Sequence, residues 1–426
     1  MRVAGPTLSD VAREAGVSLA TASRAINGSA NRTPRADLRE RVLAAAERLQ
    51  YSPDPSAQAM ARGRTTTVGL VVHDIADPYF SSLAAGVAEA AEREGLIVTL
   101  TSTQHRPERE LAFVELMDRQ RARAVVLGGG RLGGDLPGTT PDATAGEQPG
   151  AARSEPSSAA GAAAASNGGQ SSGGQSSATG AAAPSGAATA AGAAAAAGAA
   201  APSGGEQPGT SGGALRDALE RYRDGGGRVA LVGQPLGALP VVEVANRQGA
   251  ADLATALHGL GYRSFGVLAG PAGHRTAVDR VAGYTETLAA LGAPVDPAAV
   301  VTCEFTRDGG YAGMRELLDS TVERPQVVLA VNDVMAVGAM AAVRDAGLHV
   351  PQDVAVAGFD DIVTLRDVVP GLTTVRIPLV ALGQVALRLA LGLPAGADLP
   401  PGARAVGDDR VEVRGEVVLR ESTPPR

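Results

Sequence analysis

Seven short apolar runs, spaced along the chain from Thr67 onward, constrain the fold more than any other feature. They are VGLVV (68–72), IVTL (97–100), AVVL (124–127), VALV (229–232), FGVL (265–268), VVLAV (327–331) and VAVAG (354–358). Such runs have the character of parallel strands buried on both faces. Stretches with helical spacing separate them, at 80–94, 108–119, 214–224, 246–259, 277–291, 309–319 and 333–346. Parallel strands need long crossover connections, so this alternation implies an α/β fold of doubly wound parallel sheets. The number of strands implies two sheets. In such folds ligands bind beyond the carboxyl ends of the strands.

One segment breaks the pattern. Residues 131–213 are almost wholly Ala, Gly, Ser, Pro, Thr and Gln, with no aromatic residue and no apolar periodicity. A segment of this kind cannot bury enough surface to offset the entropy of ordering, so the sequence predicts a disordered insertion in the first lobe. It serves either as an interaction arm or as a neutral expansion. Two nucleotide- or hydrolase-like patterns fall at its edges. GGGRLG (128–133) follows a strand, but no helix follows it to point an N-terminus at a pyrophosphate. GTSGG (209–213) has no strand before it, as a nucleophile elbow would need. The five histidines have no metal-ligand spacing, and no catalytic constellation is present. The sequence therefore predicts no enzyme, no metal and no cofactor.

The N-terminal 65 residues are different in kind. They carry ten arginines against six acidic residues, whereas the chain as a whole has a net charge of −7. A basic head on an acidic body points to a polyanion held locally. Within it, TLSDVAREAGVSLATASRAIN (7–27) reads as two short helices joined at Gly16-Val17. Thr7 and Asp10 make a capping-box-like start, and Ser18 caps the second helix. Val11, Ala12, Val17, Ala22 and Ile26 fall on the side of a small core, while Ala20, Arg24 and Asn27 share the opposite face. This is the helix-turn-helix arrangement, whose second helix reads a major groove. Thr33-Pro34 reads as the start of a third helix running to about Gln50, with Leu38, Val42, Ala46 and Leu49 on one stripe.

At Thr7 to Gly28 the chain resembles the lactose/galactose-repressor family of bacterial transcription regulators, whose opening pattern T-L-x-D-V-A-x-x-A-G-V-S-x-x-T-x-S-R-x-x-N-G it meets nearly throughout. The resemblance extends, with the one interruption, to about Ser422. It implies a small helical headpiece followed by a two-lobe, periplasmic-binding-protein-like domain. The corresponding division is a headpiece at 1–50, a hinge and linker at 51–66, and a first lobe at 67–237. A second lobe follows at 238–362, with a return to the first lobe at 363–392 and second-lobe C-terminal strands and tail at 393–426. Crossings between lobes are expected near 235–240, 360–370 and 376–380.

The resemblance implies a homodimer that binds a double-stranded DNA operator under the control of a small-molecule effector, a sugar or another metabolite. Leu19, Ala20 and Arg24 are the expected base readers, with Arg24 suited to a guanine edge. Thr7, Thr21, Ser23 and Asn27 are expected on phosphates. Ser56 to Arg62 resembles the family's hinge helix, with Ala57 and Met60 toward the minor groove and Met60 as the wedge. The effector residues implied are Asp77, Tyr79, Phe80, Arg280, Asn332 and Asp360. Asp333 and Asp361 read as caps of the following helix and turn.

One departure bears on the effector. Many sugar-responding relatives have Asp-Arg after the strand that is VALV here, where this chain has Gly233-Gln234, and Ala245 stands where an Asp is frequent. No leader opens the chain and no run approaches the roughly 20 apolar residues of a membrane span, so a cytoplasmic, nucleoid-associated protein is expected. The alternative from another class is a cytoplasmic metabolite-binding protein or sugar-active enzyme whose helical head contacts protein. Cys303, the single cysteine, reads as a small packed hydrophobe.

Overall fold

The computed structural model describes residues 6–27, 34–52, 63–129, 211–320, 323–394 and 399–426. The hinge-helix residues Ala57 and Met60 lie outside the described residues, as does the insertion up to residue 210. The headpiece contains α1 (Leu8–Glu14), α2 (Leu19–Asn27) and α3 (Ala36–Arg48). Thr7 and Asp10 form the reciprocal capping box at α1, with the Thr7 amide donating to Asp10 Oδ2 at 2.9 Å. The turn out of α1 needs a glycine, because Gly16 sits at φ 64°. Its amide donates to Arg13 O at 3.2 Å and the Val17 amide to Ala12 O at 3.0 Å, the paired bonds of a Schellman ending. The core behind these helices is small: Val11, Ala12, Ala15, Ala22, Ala25, Val42 and Ala45. The third helix begins at Ala36, with Arg35 in the cap position and no side-chain cap bond. Pro34 is thus one residue before the cap, a correction to the expected start.

The first lobe is built on a seven-stranded sheet. Its strands are β1 (Thr67–Val72), β2 (Ile97–Ser102), β3 (Ala124–Gly129), β4 (Arg228–Gly233) and β5 (Val241–Val244), with the late strands β11 (Ala403–Ala405) and β12 (Arg410–Val413). They are ordered β11-β12-β5-β4-β3-β1-β2, all parallel except the β11–β12 pair. Side chains alternate between two cores. Val68, Leu70 and Val72 face α4 (Pro78–Arg93) and α11 (Leu379–Ala390), whereas Val71 joins Val125, Leu127, α5 (Pro107–Arg119) and α6 (Ser211–Asp224). Strand β2 departs from the expected two-sided burial. It lies at the sheet edge, and Ile97 and Leu100 are exposed.

The second lobe holds β6 (Phe265–Leu268), β7 (Val300–Val301), β8 (Val327–Ala330) and β9 (Ala355–Ala357), ordered β7-β6-β8-β9 and parallel. Its helices pack as two pairs: α7 (Asn246–Gly259) with α8 (Arg275–Ala290), and α9 (Arg307–Asp319) with α10 (Asp333–Asp345). A two-stranded antiparallel ladder, β10 (Thr374–Arg376) with β13 (Glu416–Val418), lies beside β9 through bridges Ala357–Thr373 and Asp360–Arg376.

The chain crosses between lobes at 244–246, 376–379 and 413–416. The crossing at 376–379 falls where it was expected, near 376–380, whereas the other two differ from the expected 235–240 and 360–370. Strand β5 belongs to the first sheet, so the first crossing comes after it. Residues 360–370 add no strand to the first sheet, and the tail segment 393–426 is shared, since β11 and β12 extend the first sheet while β13 joins β10. The reason is patterning. VVEV and RVEV place a charge inside each strand, and Arg410 pairs with Glu243 across them, so neither reads as an apolar run.

Helices α4 and α11 approach so closely that they touch through backbone. A Cβ on Gly86 would fall on the Val380 carbonyl, and one on Gly383 on the Leu83 carbonyl. Alanine in a helix gains up to ~1 kcal/mol over glycine, but overpacking costs about 1–3 kcal/mol or more when only backbone can yield. Gly86→Ala should therefore lower the melting temperature by several degrees. Gly259→Ala, in α7 where a Cβ meets nothing within 4 Å, should hold or raise it. Thermal unfolding of the two variants by circular dichroism checks the pair, and equal responses would show that the helix contact is not tight.

Candidate functional site

Two surfaces carry the residues singled out from the sequence. The first is α2. Ser18 caps it, its Oγ accepting from the Thr21 amide at 3.1 Å, so the helix starts in register with the turn. Ala22 and Ala25 are buried against α1 and α3, while Leu19, Ala20 and Arg24 are exposed. Small buried residues on the inner face let the helix sit close to its supports and project its outer face. Thr21, Ser23 and Asn27 are half-buried at the flanks. The Asn27 amide donates to Ser23 Oγ at 3.3 Å, which leaves the Ser23 hydroxyl proton available as a donor. Thr7 is committed elsewhere: its hydroxyl donates to Asp10 Oδ2 at 2.7 Å, and these bonds hold the Asp10 carboxyl below its ordinary range.

The second surface is a cleft of about 650 Å³ between the lobes, at the carboxyl ends of strands of both sheets. The structure brings all six expected residues to it: Asp77, Tyr79, Phe80, Arg280, Asn332 and Asp360. Arg280, 3 % exposed, lies at its floor. Its Nε donates to Asn246 Oδ1 at 2.8 Å, its Nη1 to the Val331 carbonyl at 2.6 Å and its Nη2 to Asp360 Oδ1 at 2.8 Å. The Phe359 ring lies under the guanidinium, 3.7 Å from its carbon. Three of the five guanidinium donors are thereby used. Asp360 holds φ 112°, a strained conformation for a non-glycine residue, which the surrounding bonds keep in place.

The neighbouring acids do different work from caps. Asn332 caps α10, its Oδ1 accepting from the Met335 amide at 2.9 Å. Asp333, fully buried, accepts from the Thr374 hydroxyl at 2.7 Å and the Ile362 amide at 3.0 Å. Burial and the nearby Asp360 charge push its carboxyl well above the usual range. Asp361 is an ion-pair node, receiving Arg376 Nε at 2.7 Å and Arg420 Nη2 at 2.6 Å. The cap reading is corrected for both: each carboxylate ties separate chain segments together.

Several cleft residues were not singled out in advance. His73, Gln104, His105, Asn246, His274 and Phe305 all line it. A signal was present for some, since His73 directly follows β1 and Gln104-His105 lie just beyond the end of β2, where polar residues mark a binding edge. The histidines are 32 and 169 residues apart along the chain, so their meeting is a product of the fold. Gly129 shows the same constraint from beneath: φ is 119°, and a Cβ there would enter the His73 ring. Cys303, partly buried on the core beside Gly313, keeps its thiol, with burial raising the pKa to about 11.

Asp77 caps α4, accepting from the Tyr79 amide at 2.9 Å. Burial, aided by the charges of Asp360 and Asp74, pushes its carboxyl up to about 6. A carboxyl raised on folding costs stability once ionised. That cost sets in as pH rises from about 4 to about 6 and is complete above. Asn keeps the cap without the charge. Asp77→Asn should melt with the parent at pH 4 and about 3 °C above it at pH 7.5. Melting curves across that range check it, and a pH-independent difference would overturn the burial argument.

Comparison with known proteins agrees with this geometry. The family model described as bacterial regulatory proteins, lacI family, matches residues 7–54. The periplasmic binding proteins and sugar binding domain of LacI family model matches 65–136, and the periplasmic binding protein-like domain model matches 254–423. The HTH-type transcriptional repressor CytR of Escherichia coli (strain K12) is 27% identical over 409 residues, covering 96% of this chain and 95% of that protein. The regulator GalR of the same strain is 28% identical, covering 92% and 91%. In fold, the lac repressor dimer bound to operator and the anti-inducer ONPF matches with a TM-score of 0.67 at 21% identity, covering 99% of this chain and 100% of that one. A transcriptional regulator CelR–cellobiose complex matches with a TM-score of 0.54 at 25% identity, covering 98% and 99%. These relatives are transcription regulators, which sets aside the reading as an enzyme. Among the described residues no helix is long and apolar enough to cross a membrane. With a capped helix-turn-helix ahead of a two-lobed α/β body, and family models matching both, the chain belongs to the LacI family of DNA-binding bacterial transcription regulators.

Proposed function

We propose that two copies of the chain bind a palindromic operator, one α2 in the major groove of each half-site, and that a small molecule in the cleft controls this binding. The observation that carries the reading is the division of α2 into a buried alanine face and an exposed face of Leu19, Ala20 and Arg24. Arg24 is the base reader, its guanidinium matched to a guanine edge and worth about 1–3 kcal/mol of discrimination if bidentate. Leu19 and Ala20 meet thymine methyls or permit close approach. Thr21, Ser23 and Asn27 flank that face and serve phosphates, carrying no sequence information. Thr7 contributes chiefly by starting α1 through its cap. Ala57 and Met60, outside the described residues, are assigned to the minor groove at the operator centre. Unstacking one step there costs on the order of a few kcal/mol, repaid by contacts that the bend allows.

The lac repressor dimer and the CelR–cellobiose complex are support by analogy for a dimer on DNA and for a sugar or related metabolite as effector. The protein acts in the cytoplasm, on the nucleoid. Ligand in the cleft contacts both lobes at once, so its binding changes the angle between them and, with it, the spacing of the two headpieces.

The test starts from a duplex selected from a randomised palindromic library. Arg24→Ala should relax preference at one symmetric pair of positions and weaken binding about tenfold or more, measured by fluorescence anisotropy. For the parent, log affinity should fall with log salt at about −0.9 per phosphate contact. If no palindrome were enriched, or Arg24→Ala left the preferred sequence unchanged, α2 would not be reading bases through this residue.

A further inference from the structure

The chain is sparing with rings. It has no tryptophan, five phenylalanines, six tyrosines and five histidines, yet six of these sixteen rings line the cleft. They form a continuous path. Tyr79 and Phe80 lie 5.0 Å apart, Phe80 and His73 5.6 Å, and His73 stacks on His105 at 4.3 Å with 24° between planes. From His105 the path passes to His274 at 6.4 Å and on to Phe305 at 4.7 Å. His105 belongs to the first lobe and His274 to the second, so the path crosses the cleft.

We propose that the ligand of this cleft joins a planar heteroaromatic ring to a hydroxyl-bearing group, the ring seated among His73, His105, His274 and Phe305 and the hydroxyls on Arg280 and Asp360. The inference rests on the effector reading above and gives the class of molecule. Backbone strain is the first support. Gln104 and His105 occupy the left-handed region at φ 53° and 58°, uncommon outside glycine though histidine tolerates it better than most, and the outcome is an imidazole laid flat against His73. Polar bookkeeping is the second support. Asp74 accepts from the Ala76 amide, Asp77 from the Tyr79 amide, Asn332 from the Met335 amide and Asn246 from Arg280. A free monosaccharide presents hydroxyls around its whole rim, each able to donate and accept, and needs polar partners on every side. Each carboxylate keeps a second oxygen, so acceptors remain beside Asp74 and Asp77 and at Asp360, whereas the rest of the wall is made of ring faces and edges, which suit another π system. At the floor, the two uncommitted guanidinium donors of Arg280 and the second oxygen of Asp360 can grip a pair of hydroxyls. Burial lowers the His105 pKa, so its imidazole meets a neutral ring without charge at neutral pH.

Nucleosides are the most accessible probes of this class. The full-length protein would be titrated calorimetrically with adenosine, cytidine, adenine, cytosine, ribose and glucose. At least one nucleoside should bind at least tenfold more tightly than ribose or glucose. His105→Ala and Phe305→Ala should each weaken that nucleoside about tenfold, in line with the loss of one stacking partner, while leaving any weak ribose binding within twofold. Retention of the parent melting curve separates this from misfolding, and His105→Phe, which keeps a ring, should restore most of the affinity. Tighter binding of ribose or glucose than of either nucleoside overturns the class, and so does an absence of binding by all six probes. Measuring affinity for the selected operator with each bound probe separates the two readings. A sugar that binds and shifts operator affinity leaves the effector reading standing and removes the ring, whereas a nucleoside that binds without any shift does the reverse.

Discussion

A buried arginine sets the terms for the rest of the body. Taking a guanidinium out of water costs several kcal/mol unless its donors are satisfied, and here three separate segments satisfy it. Asn246 begins the helix after the first crossing, Val331 directly follows β8 and Asp360 follows β9. Arg280 therefore fixes the relative positions of elements that are far apart along the chain and places two polar strand ends around one point. Removing any partner leaves charge buried without compensation, so the three segments are held to one another through this side chain. Phe359, packed under the guanidinium plane, closes the side that no acceptor covers.

From Asp360 the connection to the crossings is short. Its sequence neighbour Asp361 receives Arg376, at the end of β10 where the chain leaves for the first lobe. It also receives Arg420, which follows β13 after the chain has returned. Arg420 is further held by the Leu372 carbonyl at 2.7 Å, and its amide donates to Thr373 Oγ1 at 2.8 Å. Two of the three crossings are thus tied to a residue one peptide bond from the cleft floor. Asp361 is itself at φ 53°, so its backbone, like that of Asp360, is held by partners rather than by preference.

The sequence was legible where one physical signal dominated. Runs such as VGLVV and VVLAV are central strands, and their burial on both faces leaves no competing pattern. The caps of α1 and α2 were legible because a hydroxyl followed three residues later by a donor or partner has one local use. Legibility failed where strands are half-covered and short. VVEV and RVEV each carry a glutamate in the pleat, and they make sense only as neighbours whose Arg410 and Glu243 meet. Two of the three crossings were misplaced for the same reason, since a change of lobe leaves no mark in local periodicity. In the site, Arg280 and the polar strand ends were legible from their chemistry, whereas Asp333 and Asp361 were misread as caps because their partners, Thr374, Arg376 and Arg420, are distant in sequence. The imidazole path was hidden for the same reason: it exists only once both lobes have folded.

The headpiece works by the opposite economy. Its core has two valines and five alanines, with Leu8, Val17, Ile26, Leu49 and Tyr51 only partly buried around it. At about 25 cal/mol per Å² of apolar surface, a core of such small side chains contributes little, and a domain of this size is near the lower limit of independent stability. Much of its rigidity comes instead from backbone bonding: the capping box, the Schellman turn at Gly16, and Arg41 Nη2 donating to the Ala15 carbonyl at 2.6 Å just before that turn. Small residues have a positive use here. Ala22 and Ala25 let α2 lie close against its supporting helices, and the closer it lies, the more directly its outer face stands away from the body of the domain. A larger core would be more stable but would push α2 out of the angle set by the Gly16 turn. The headpiece gives up stability for position, which is tolerable only because a duplex in contact with it can supply what the core does not.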